Sequence, residues 1–99
     1  MEKNTPHHNL EAVRSKVRAG FFVVTVSAYA GAQALGIDHD GVLRVVLSLT
    51  RKDFYKSMTT LNDARLWQDV YNPLTTVGVV YCKIMIRNDC VVVISFKEL

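Results

Sequence analysis

Apolar residues recur at two different spacings along this chain, and the change of spacing divides it into two parts. Before about residue 50 they lie three or four positions apart, as in the set Leu10, Val13 and Val17. From residue 53 onward, apolar residues alternate with polar and cationic ones. A repeat near 3.6 predicts amphipathic helices, and a repeat of two predicts strands. The pattern therefore predicts helices first and a sheet afterwards.

The first part contains signals for three helices and one short strand. The first helix is predicted between a cap at Asn9 and a stop at Gly20. The second is predicted over residues 28–35, between a cap at Ser27 and a stop at Gly36. The third is predicted over His39–Ser48, after a cap at Asp38. Short polar residues favour the N-cap position, and glycine favours the position after a helix. Residues 21–24 are rich in strand formers and predict a strand between the first two helices.

Two further strands are predicted in the middle of the chain. Thr50 and Asp53 have the spacing of a capping box. Residues 53–60 then contain neither Gly nor Pro, so this segment can pair along both of its edges. Residues 66–71 alternate again, with Trp67, Asp69 and Tyr71 on one face and Gln68 and Val70 on the other.

The C-terminal hairpin is the clearest strand signal. Its two apolar rows are Val80, Cys82, Ile84 and Ile86 in one strand and Val92, Ile94 and Phe96 in the other. Both rows face the core only if the numbers of paired residues have an even sum, which an odd loop at 88–90 provides. A two-residue loop would turn one row towards water, at about 1.5–3 kcal/mol for each large side chain. We therefore predict a three-residue loop with a bulge. The residues gathered on the opposite face are then Tyr81, Lys83, Ser95 and Lys97.

The composition favours one folded domain over residues 1–99. The chain is 49% hydrophobic and 21% charged, which is enough apolar material for a core. Two to three N-terminal helices packed on a C-terminal twisted antiparallel sheet, an α+β fold, is the arrangement that this order of elements predicts. No apolar run approaches the roughly 18 residues of a membrane span, and residues 1–6 lack the apolar core of a signal peptide. We therefore expect a cytoplasmic protein that does not enter a membrane.

Cysteine and histidine give no sign of a bound metal. Cys82 and Cys90 lie in apolar strand contexts, where a reduced, packed thiol is expected in the cytoplasm. His7 and His8 are distant from both cysteines in sequence, and the short ligand spacings of a zinc site are missing. We therefore expect no metal and no other cofactor.

The polar residues of the predicted sheet suggest contact with an anion. Lys and Arg outnumber Asp and Glu by 12 to 9, which gives a net charge of +3 and a pI of about 9.0. The sheet carries Lys56, Gln68, Tyr81, Lys83 and Lys97. Such a set could bind an RNA phosphate and stack a base on an aromatic ring, or it could be an ordinary solvated face.

These groups could also cut RNA without a metal. The 2′-hydroxyl attacks the adjacent phosphate, a base removes its proton, an acid protonates the leaving 5′-oxygen, and cations hold the growing charge. Because the predicted sheet contains no histidine, Lys or Tyr must move the protons, although their free pKa values lie near 10. Clustered cations lower a lysine pKa, and a nearby lysine lowers a tyrosine pKa, so the sheet lysines are expected to supply that field.

Several stretches of the chain resemble the MqsR toxins, the motility quorum-sensing regulator family of bacterial mRNA interferases. The stretches are Met1-Glu2-Lys3-Asn4-Thr5-Pro6-His7, Asp53-Phe54-Tyr55-Lys56-Ser57-Met58-Thr59-Thr60, Trp67-Gln68-Asp69-Val70-Tyr71, Val80-Tyr81-Cys82-Lys83-Ile84 and Ser95-Phe96-Lys97-Glu98. The likeness runs nearly end to end, whereas residues 18–49 match mainly in pattern.

The resemblance implies a RelE-like fold and a sequence-selective endoribonuclease that cleaves mRNA at short sites containing GC. It implies a toxin of a type II toxin–antitoxin system, neutralised by a cognate zinc-containing antitoxin with a helix-turn-helix domain. Operator DNA would be bound only through that antitoxin complex. The catalytic positions of the family fall on Lys56, Gln68, Tyr81 and Lys97. The RNA contacts expected around them are Tyr55, Lys83, Arg87 and Ser95.

Our hypothesis for the roles is that Lys56 and Lys97 neutralise the scissile phosphate, and that Gln68 bonds a base or the phosphate. Tyr81 is the best proton carrier, with Lys56 second. Two other classes of function stay open. The same basic face would serve a non-catalytic RNA- or protein-binding module. A DNA-binding regulator is disfavoured, because helices two and three have faces too apolar to read bases.

Overall fold

The computed structural model describes residues 1–99 and places three α-helices ahead of most of the strands. The elements are β1 (Glu2–Lys3), α1 (Leu10–Arg18), β2 (Phe22–Val24), α2 (Val26–Ala34), α3 (His39–Ser48), a 3-10 turn (Arg51–Asp53), β3 (Phe54–Thr59), β4 (Trp67–Tyr71), β5 (Leu74–Thr75), β6 (Gly78–Arg87) and β7 (Cys90–Glu98). None of the helices has the length and apolar character needed to cross a membrane.

The sheet has seven strands, and its order is β1-β3-β4-β6-β7-β2, with β5 paired to β6. Every pairing is antiparallel except that of β2 with β7, which is parallel. The predicted α+β class is therefore confirmed. The strands β1 and β5 were not predicted, because a two-residue strand is too short to show an alternating pattern.

The helices begin where short polar side chains accept backbone N–H groups. The Asn9 side chain accepts hydrogen bonds from the N–H groups of Glu11 and Ala12 at 2.8 and 3.2 Å, and Asp38 accepts one from Gly41 at 2.8 Å. The predictions for α1 and α3 are confirmed.

The predicted start of α2 is wrong by two residues. The helix begins at Val26, and its N-cap is Thr25 rather than Ser27. The Thr25 hydroxyl accepts the N–H of Ala28 at 3.1 Å and donates to the carbonyl of Ile94 at 3.2 Å. A cap that also bonds β7 is held in place by the sheet, which local helix signals cannot reveal.

The core lies between the three helices and one face of the sheet. Its helical members are Val13, Val17, Ala28, Ala32, Val42 and Val46, followed by Leu49 just after α3. Its strand members include Val80, Cys82, Ile84, Val91, Val93 and Phe96. Helix α2 approaches β7 so closely that a Cβ at Gly31 would overlap the carbonyl oxygen of Phe96. Glycine at this position is therefore required for the packing of α2 on the sheet.

The β6–β7 hairpin differs from the prediction in its turn. Asn88 and Asp89 form a two-residue loop, both with positive φ (52° and 62°), and Arg87 pairs with Cys90. Positive φ at both central residues is the requirement of a type I′ turn, which suits the twist of a hairpin. The predicted three-residue loop at 88–90 is wrong.

A bulge in β7 has the effect that was expected of an odd loop: it keeps the apolar rows of both strands on the core side. Ile84 pairs with Val93, and the neighbouring pair is Lys83 with Ser95, so that Ile94 is an extra residue in β7. The buried row of β7 is consequently Val91, Val93 and Phe96, not Val92, Ile94 and Phe96. Beyond the bulge, Tyr81 pairs with Lys97 and Lys83 with Ser95, so these four residues share one face as predicted.

A second bulge lies in β3. Phe54 pairs with Tyr71, whereas Lys56 pairs with Val70, so Tyr55 is the extra residue. Phe54 packs edge-to-face against the ring of Tyr71 on the core side, with 5.5 Å between ring centroids. Lys56 lies on the opposite face together with Val70, because residues paired across strands share a face.

The N-terminal residues are tied to the sheet by a buried carboxylate. Asp69 is fully buried and accepts hydrogen bonds from the backbone N–H groups of His7 (3.0 Å) and His8 (2.8 Å) and from the Ser57 hydroxyl (2.6 Å). This anchor directs the preceding residues along the edge of β3, where Glu2 and Lys3 pair with Met58 and Ser57.

Candidate active site

The face of the sheet away from the helices carries the predicted site residues, and we call it the open face. Lys56 on β3 pairs with Val70 on β4, Val70 with Lys83 on β6, and Lys83 with Ser95 on β7. These side chains form one row across four strands, since paired residues share a face. Tyr81 lies two residues before Lys83 on the same face and is paired with Lys97. The structure therefore brings Lys56, Tyr81 and Lys97 to one side of the sheet.

Tyr81 is half-buried and contacts a cation. The Nζ atom of Lys97 lies 5.1 Å from the centroid of the Tyr81 ring, a cation–π distance. Burial raises the pKa of Tyr81, and this effect outweighs the lowering by the charge of Lys56. The charge of Lys56 does lower the pKa as expected, but the net shift of the Tyr81 pKa is upward, because the phenolate loses more hydration on burial than it gains from the amine. At neutral pH the hydroxyl keeps its proton and is fitted to donate it.

Lys56 forms an ion pair that the sequence did not suggest. Its Nζ donates to the Oε2 atom of Glu2 at 2.9 Å. This hydrogen bond raises the pKa of Lys56. The clustering of lysines was expected to lower it. The amine therefore stays cationic at neutral pH and is suited to hold a phosphate. The ring of Tyr55 lies beside it, 5.4 Å from Nζ to the centroid, and Tyr55 is 57% exposed.

Lys83 shows the effect that clustering was expected to have. Burial lowers the pKa of Lys83 first, and the charges of Lys97 and Lys56 lower it further. Lys83 occupies the middle of the row, between Val70 and Ser95. The three amines therefore concentrate positive charge at a partly buried part of the open face.

Gln68 also lies on the open face, in the row next to that of Lys56 and Lys83 and on the side away from Tyr81. It pairs with Met58 of β3, and it stands two residues before Val70 on β4. Its half-buried amide can therefore contact a nucleotide next to one held at Lys56 and Lys83. An amide has both a donor and an acceptor, which is what recognition of a base edge requires.

Arg87 does not join the other predicted residues. It lies six residues beyond Tyr81 on β6, about 20 Å at the rise of a strand. It is exposed at the far end of the sheet, near enough to Asp63 to help Arg65 lower the pKa of that carboxyl. Arg87 can contact RNA only at a nucleotide distant from the one at Tyr81.

Sequence reasoning missed Glu2 as a member of this face. Glu2 pairs with Met58, so it shares the face of Met58 and Lys56. Its carboxylate is 61% exposed. The pattern of a two-residue strand at the chain end carries no signal, and the position of Glu2 depends on the anchor at Asp69.

The thiol and imidazole groups lie away from Lys56, Tyr81 and Lys97, and Cys90, which pairs with Arg87, is at the far end of the open face. Cys82 is buried in the core, and Cys90 is half-buried at the start of β7, both as free thiols. His7 stacks on Trp67 with 5.5 Å between ring centroids, and the Nζ of Lys3 lies 4.2 Å from the centroid of the Trp67 ring. Trp67 shares its face with Asp69, on the helix side of the sheet. No group of three or more His, Cys, Asp or Glu side chains is arranged to hold a metal ion.

Comparison with known proteins agrees with this arrangement of motifs. A family model described as motility quorum-sensing regulator, toxin of MqsA, matches residues 5–98. A relative from Escherichia coli (strain K12), described as mRNA interferase toxin MqsR, is 49% identical over 98 residues, which cover 99% of this chain and 99% of the relative. The chain therefore belongs to the MqsR family of motility quorum-sensing regulator toxins.

Proposed function

We propose that the protein is a toxin that acts as an endoribonuclease on mRNA. The observation that carries this proposal is the meeting of Lys56, Tyr81 and Lys97 on one face of the sheet. The two amines can hold a phosphate, and the phenol can protonate the leaving 5′-oxygen. The relative that is 49% identical is described as an mRNA interferase toxin, which supports the same reaction class.

The amines bind and neutralise the scissile phosphate. Lys56 and Lys97 stand on either side of Lys83 across the sheet, and each is a strong donor to phosphate oxygens. The negative charge on phosphate grows as the 2′-oxygen attacks, so cations fixed before the reaction stabilise the transition state more than the substrate. Ser95, next to Lys83, adds a hydroxyl donor.

Tyr81 supplies the proton for the leaving group. The 2′-hydroxyl gives its proton to a base as its oxygen forms a bond to phosphorus, and the bond from phosphorus to the 5′-oxygen breaks. The products are a 2′,3′-cyclic phosphate and a free 5′-hydroxyl, the latter carrying the proton of Tyr81. The raised pKa of Tyr81, caused mainly by burial, keeps this proton available at neutral pH. A Tyr with a lowered pKa would suit the base role instead.

Selection of the cleavage site depends on groups beside the phosphate site. Tyr55 is exposed next to Lys56 and can stack on a base. Gln68, one row away, can bond the edge of a neighbouring base. Together they would read a short sequence, and we propose a short site containing GC.

The partner of the toxin is an antitoxin. The family is described as the toxin of MqsA, so we propose an MqsA-like protein that contains zinc and a helix-turn-helix domain. In this proposal the antitoxin binds the zinc and the operator DNA. The toxin contributes neither zinc ligands nor contacts to the bases of the operator.

The experiment that tests the proposed function is digestion of a defined mRNA by the purified protein in EDTA, with mapping of the new ends. We expect discrete cuts with 2′,3′-cyclic phosphate and 5′-hydroxyl ends. A gel shift without any cut would contradict the enzyme and favour a non-catalytic RNA-binding module, since phosphate affinity alone requires no chemistry.

A further inference from the structure

The proposed reaction needs a proton acceptor that Lys56, Gln68, Tyr81 and Lys97 do not provide. Amines and phenols hold their protons at neutral pH, and an amide accepts none. In this fold burial holds the Tyr81 proton more firmly, and the hydrogen bond to Glu2 holds that of Lys56. A group that removes the proton of the 2′-hydroxyl must therefore come from elsewhere on the open face.

Glu2 is a carboxylate at the edge of that face. Its Oε2 atom accepts a hydrogen bond of 2.9 Å from Lys56, so it lies directly beside the amine that would hold the phosphate. The carboxylate is 61% exposed and can reach a bound ribose. The neighbouring acids are otherwise engaged or face away. Asp63 is paired with Arg65 in the β3–β4 loop, Asp53 accepts hydrogen bonds from Thr50 just before β3, and Glu98 pairs with the core residue Val80 and so points to the helix side.

The order of the groups across the sheet suits an in-line reaction. Glu2 lies on β1, Lys56 on β3, Tyr81 on β6 and Lys97 on β7, and these strands occur in this order. A displacement at phosphorus needs its base and its acid on opposite sides, because the attacking and leaving oxygens are roughly in line. Glu2 and Tyr81 stand on opposite sides of Lys56, which is close enough to Tyr81 for its charge to act on the phenol.

The N-terminus is held firmly enough for such a role. The N-terminal ammonium donates to Thr59 Oγ1 at 3.0 Å, and the Thr59 N–H donates to the Met1 carbonyl at 2.9 Å. On the other side of Glu2, the buried carboxylate of Asp69 fixes the backbone of His7 and His8. Chain ends usually fray unless they are tied down in this way.

We propose that Glu2 is the general base of the reaction, an inference that rests on the proposed function. The carboxylate takes the proton of the 2′-hydroxyl as the bond from the 2′-oxygen to phosphorus forms. Tyr81 gives its proton to the 5′-oxygen as that bond to phosphorus breaks. After product release, Glu2 loses its proton to water and Tyr81 regains one, so the enzyme is restored.

The test is Glu2→Gln, which keeps the shape of the side chain and its acceptor oxygen but cannot take the proton. Single-turnover cleavage should fall by about 100-fold or more, the usual contribution of a general base. The proposal predicts that the wild type loses rate at acid pH, and this loss should be absent in Glu2→Gln. Binding of an oligonucleotide with a 2′-deoxy sugar at the mapped cut site should stay equal or become tighter, since a negative charge beside Lys56 is gone.

Two further variants make the test decisive. Glu98→Gln removes a carboxylate from the other face of the same sheet and should cleave like the wild type. Glu2→Asp keeps a carboxylate and should restore part of the rate and the acid limb. The inference is overturned if Glu2→Gln cleaves within threefold of the wild type, or if binding and cleavage fall by the same factor. If the wild type itself cuts no RNA, the proposed function fails instead.

Discussion

The three amines of the open face differ in what surrounds them, and this decides what each can do. Lys56 has a carboxylate partner at 2.9 Å, and Lys97 lies over an aromatic ring. Lys83 has neither, and it is half-buried between the other two charges. A cation that is partly desolvated and repelled by its neighbours destabilises the folded state.

Lys83→Met should therefore stabilise the protein at pH 7 while it weakens RNA binding. Because burial lowers the pKa of Lys83 in the folded state, the unfolded chain binds the proton more strongly, and stability is reduced below the folded pKa. This penalty disappears as the pH rises towards 10.5, the ordinary lysine value.

Urea unfolding of Lys83→Met should show a gain of about 0.5 kcal/mol at pH 7, and the gain should shrink at alkaline pH. The slope of log affinity for RNA against log salt concentration should decrease in magnitude by about one. A variant less stable than the wild type at pH 7 would contradict this description. Lys52→Met, at an exposed position outside the sheet, is the matched control.

Among the elements, the short N-terminal strand has the largest consequence for its size. β1 contains only Glu2 and Lys3, and it stays at the edge of β3 because Asp69 accepts three hydrogen bonds behind it. A hydrogen bond to a charged group contributes more than a neutral one. The anchor therefore couples a buried residue of β4 to the position of Glu2 on the opposite face.

Asp69→Asn should cost about 2 kcal/mol of unfolding free energy, because the amide nitrogen would face a backbone N–H and leave a buried donor unpaired. Chemical denaturation measures this directly. Asp63→Asn, which removes the charge that a half-buried carboxylate presents to the exposed Arg65, should change stability by no more than about 0.5 kcal/mol. Equal stability of the two variants would show that the carboxylate of Asp69 is no anchor.

The elements also show where sequence reasoning succeeds and where it fails. The helix pattern and the caps at Asn9 and Asp38 are local, and α1 and α3 were predicted well. The hairpin was predicted from alternation alone, which treats every strand as regular. The bulge at Ile94 breaks the alternation, so the faces came out right beyond the bulge while the loop was wrong. The positive φ of Asn88 and Asp89 follows a recognisable turn preference.

The candidate site could be predicted only in part. Lys56, Tyr81, Lys83 and Lys97 share a face because of pairings between distant strands, and alternation within each strand was enough to suggest them. The pKa of Lys56 and of Tyr81 could not be foreseen, because one depends on Glu2 and the other on burial. Arg87 follows the same alternation but lies at the far end of β6 from Tyr81, a separation that alternation alone does not reveal.

For the molecule as a whole, the sheet separates a dry face from a charged one. The helices cover one side with a core that includes Cys82, Tyr71 and Phe96, and no helix covers the other side. Two bulges, at Tyr55 and Ile94, adjust which residues face each way. Two groups that ionise at high pH, Tyr71 and Cys82, are fully buried on the core side.

Stability should consequently fall at alkaline pH. Burial raises the pKa of the Cys82 thiol from 9.0 to about 12, and burial also raises the pKa of Tyr71. The contribution of Cys82 is complete below pH 9 and is lost as the pH rises through the interval up to the folded pKa, because the unfolded chain has already released the proton. The slope for one such group is about 1.4 kcal/mol per pH unit.

Unfolding of the wild type and of Cys82→Ala in urea at pH 7, 9 and 10 measures this effect. The wild type should lose more stability than the variant between pH 9 and 10. Parallel losses in the two proteins would contradict the assignment to Cys82.

The cleavage rate of Tyr81→Phe tests most directly whether the open face is an active site. The change removes one hydroxyl and keeps the ring that contacts Lys97. Single-turnover cleavage of a mapped mRNA should fall at least tenfold, about 1.4 kcal/mol of barrier, with unfolding free energy and RNA binding unchanged. Tyr29→Phe, at a partly exposed tyrosine of α2 on the other side of the sheet, should cleave at the wild-type rate. Undiminished cleavage by Tyr81→Phe would contradict the proposed role of this face.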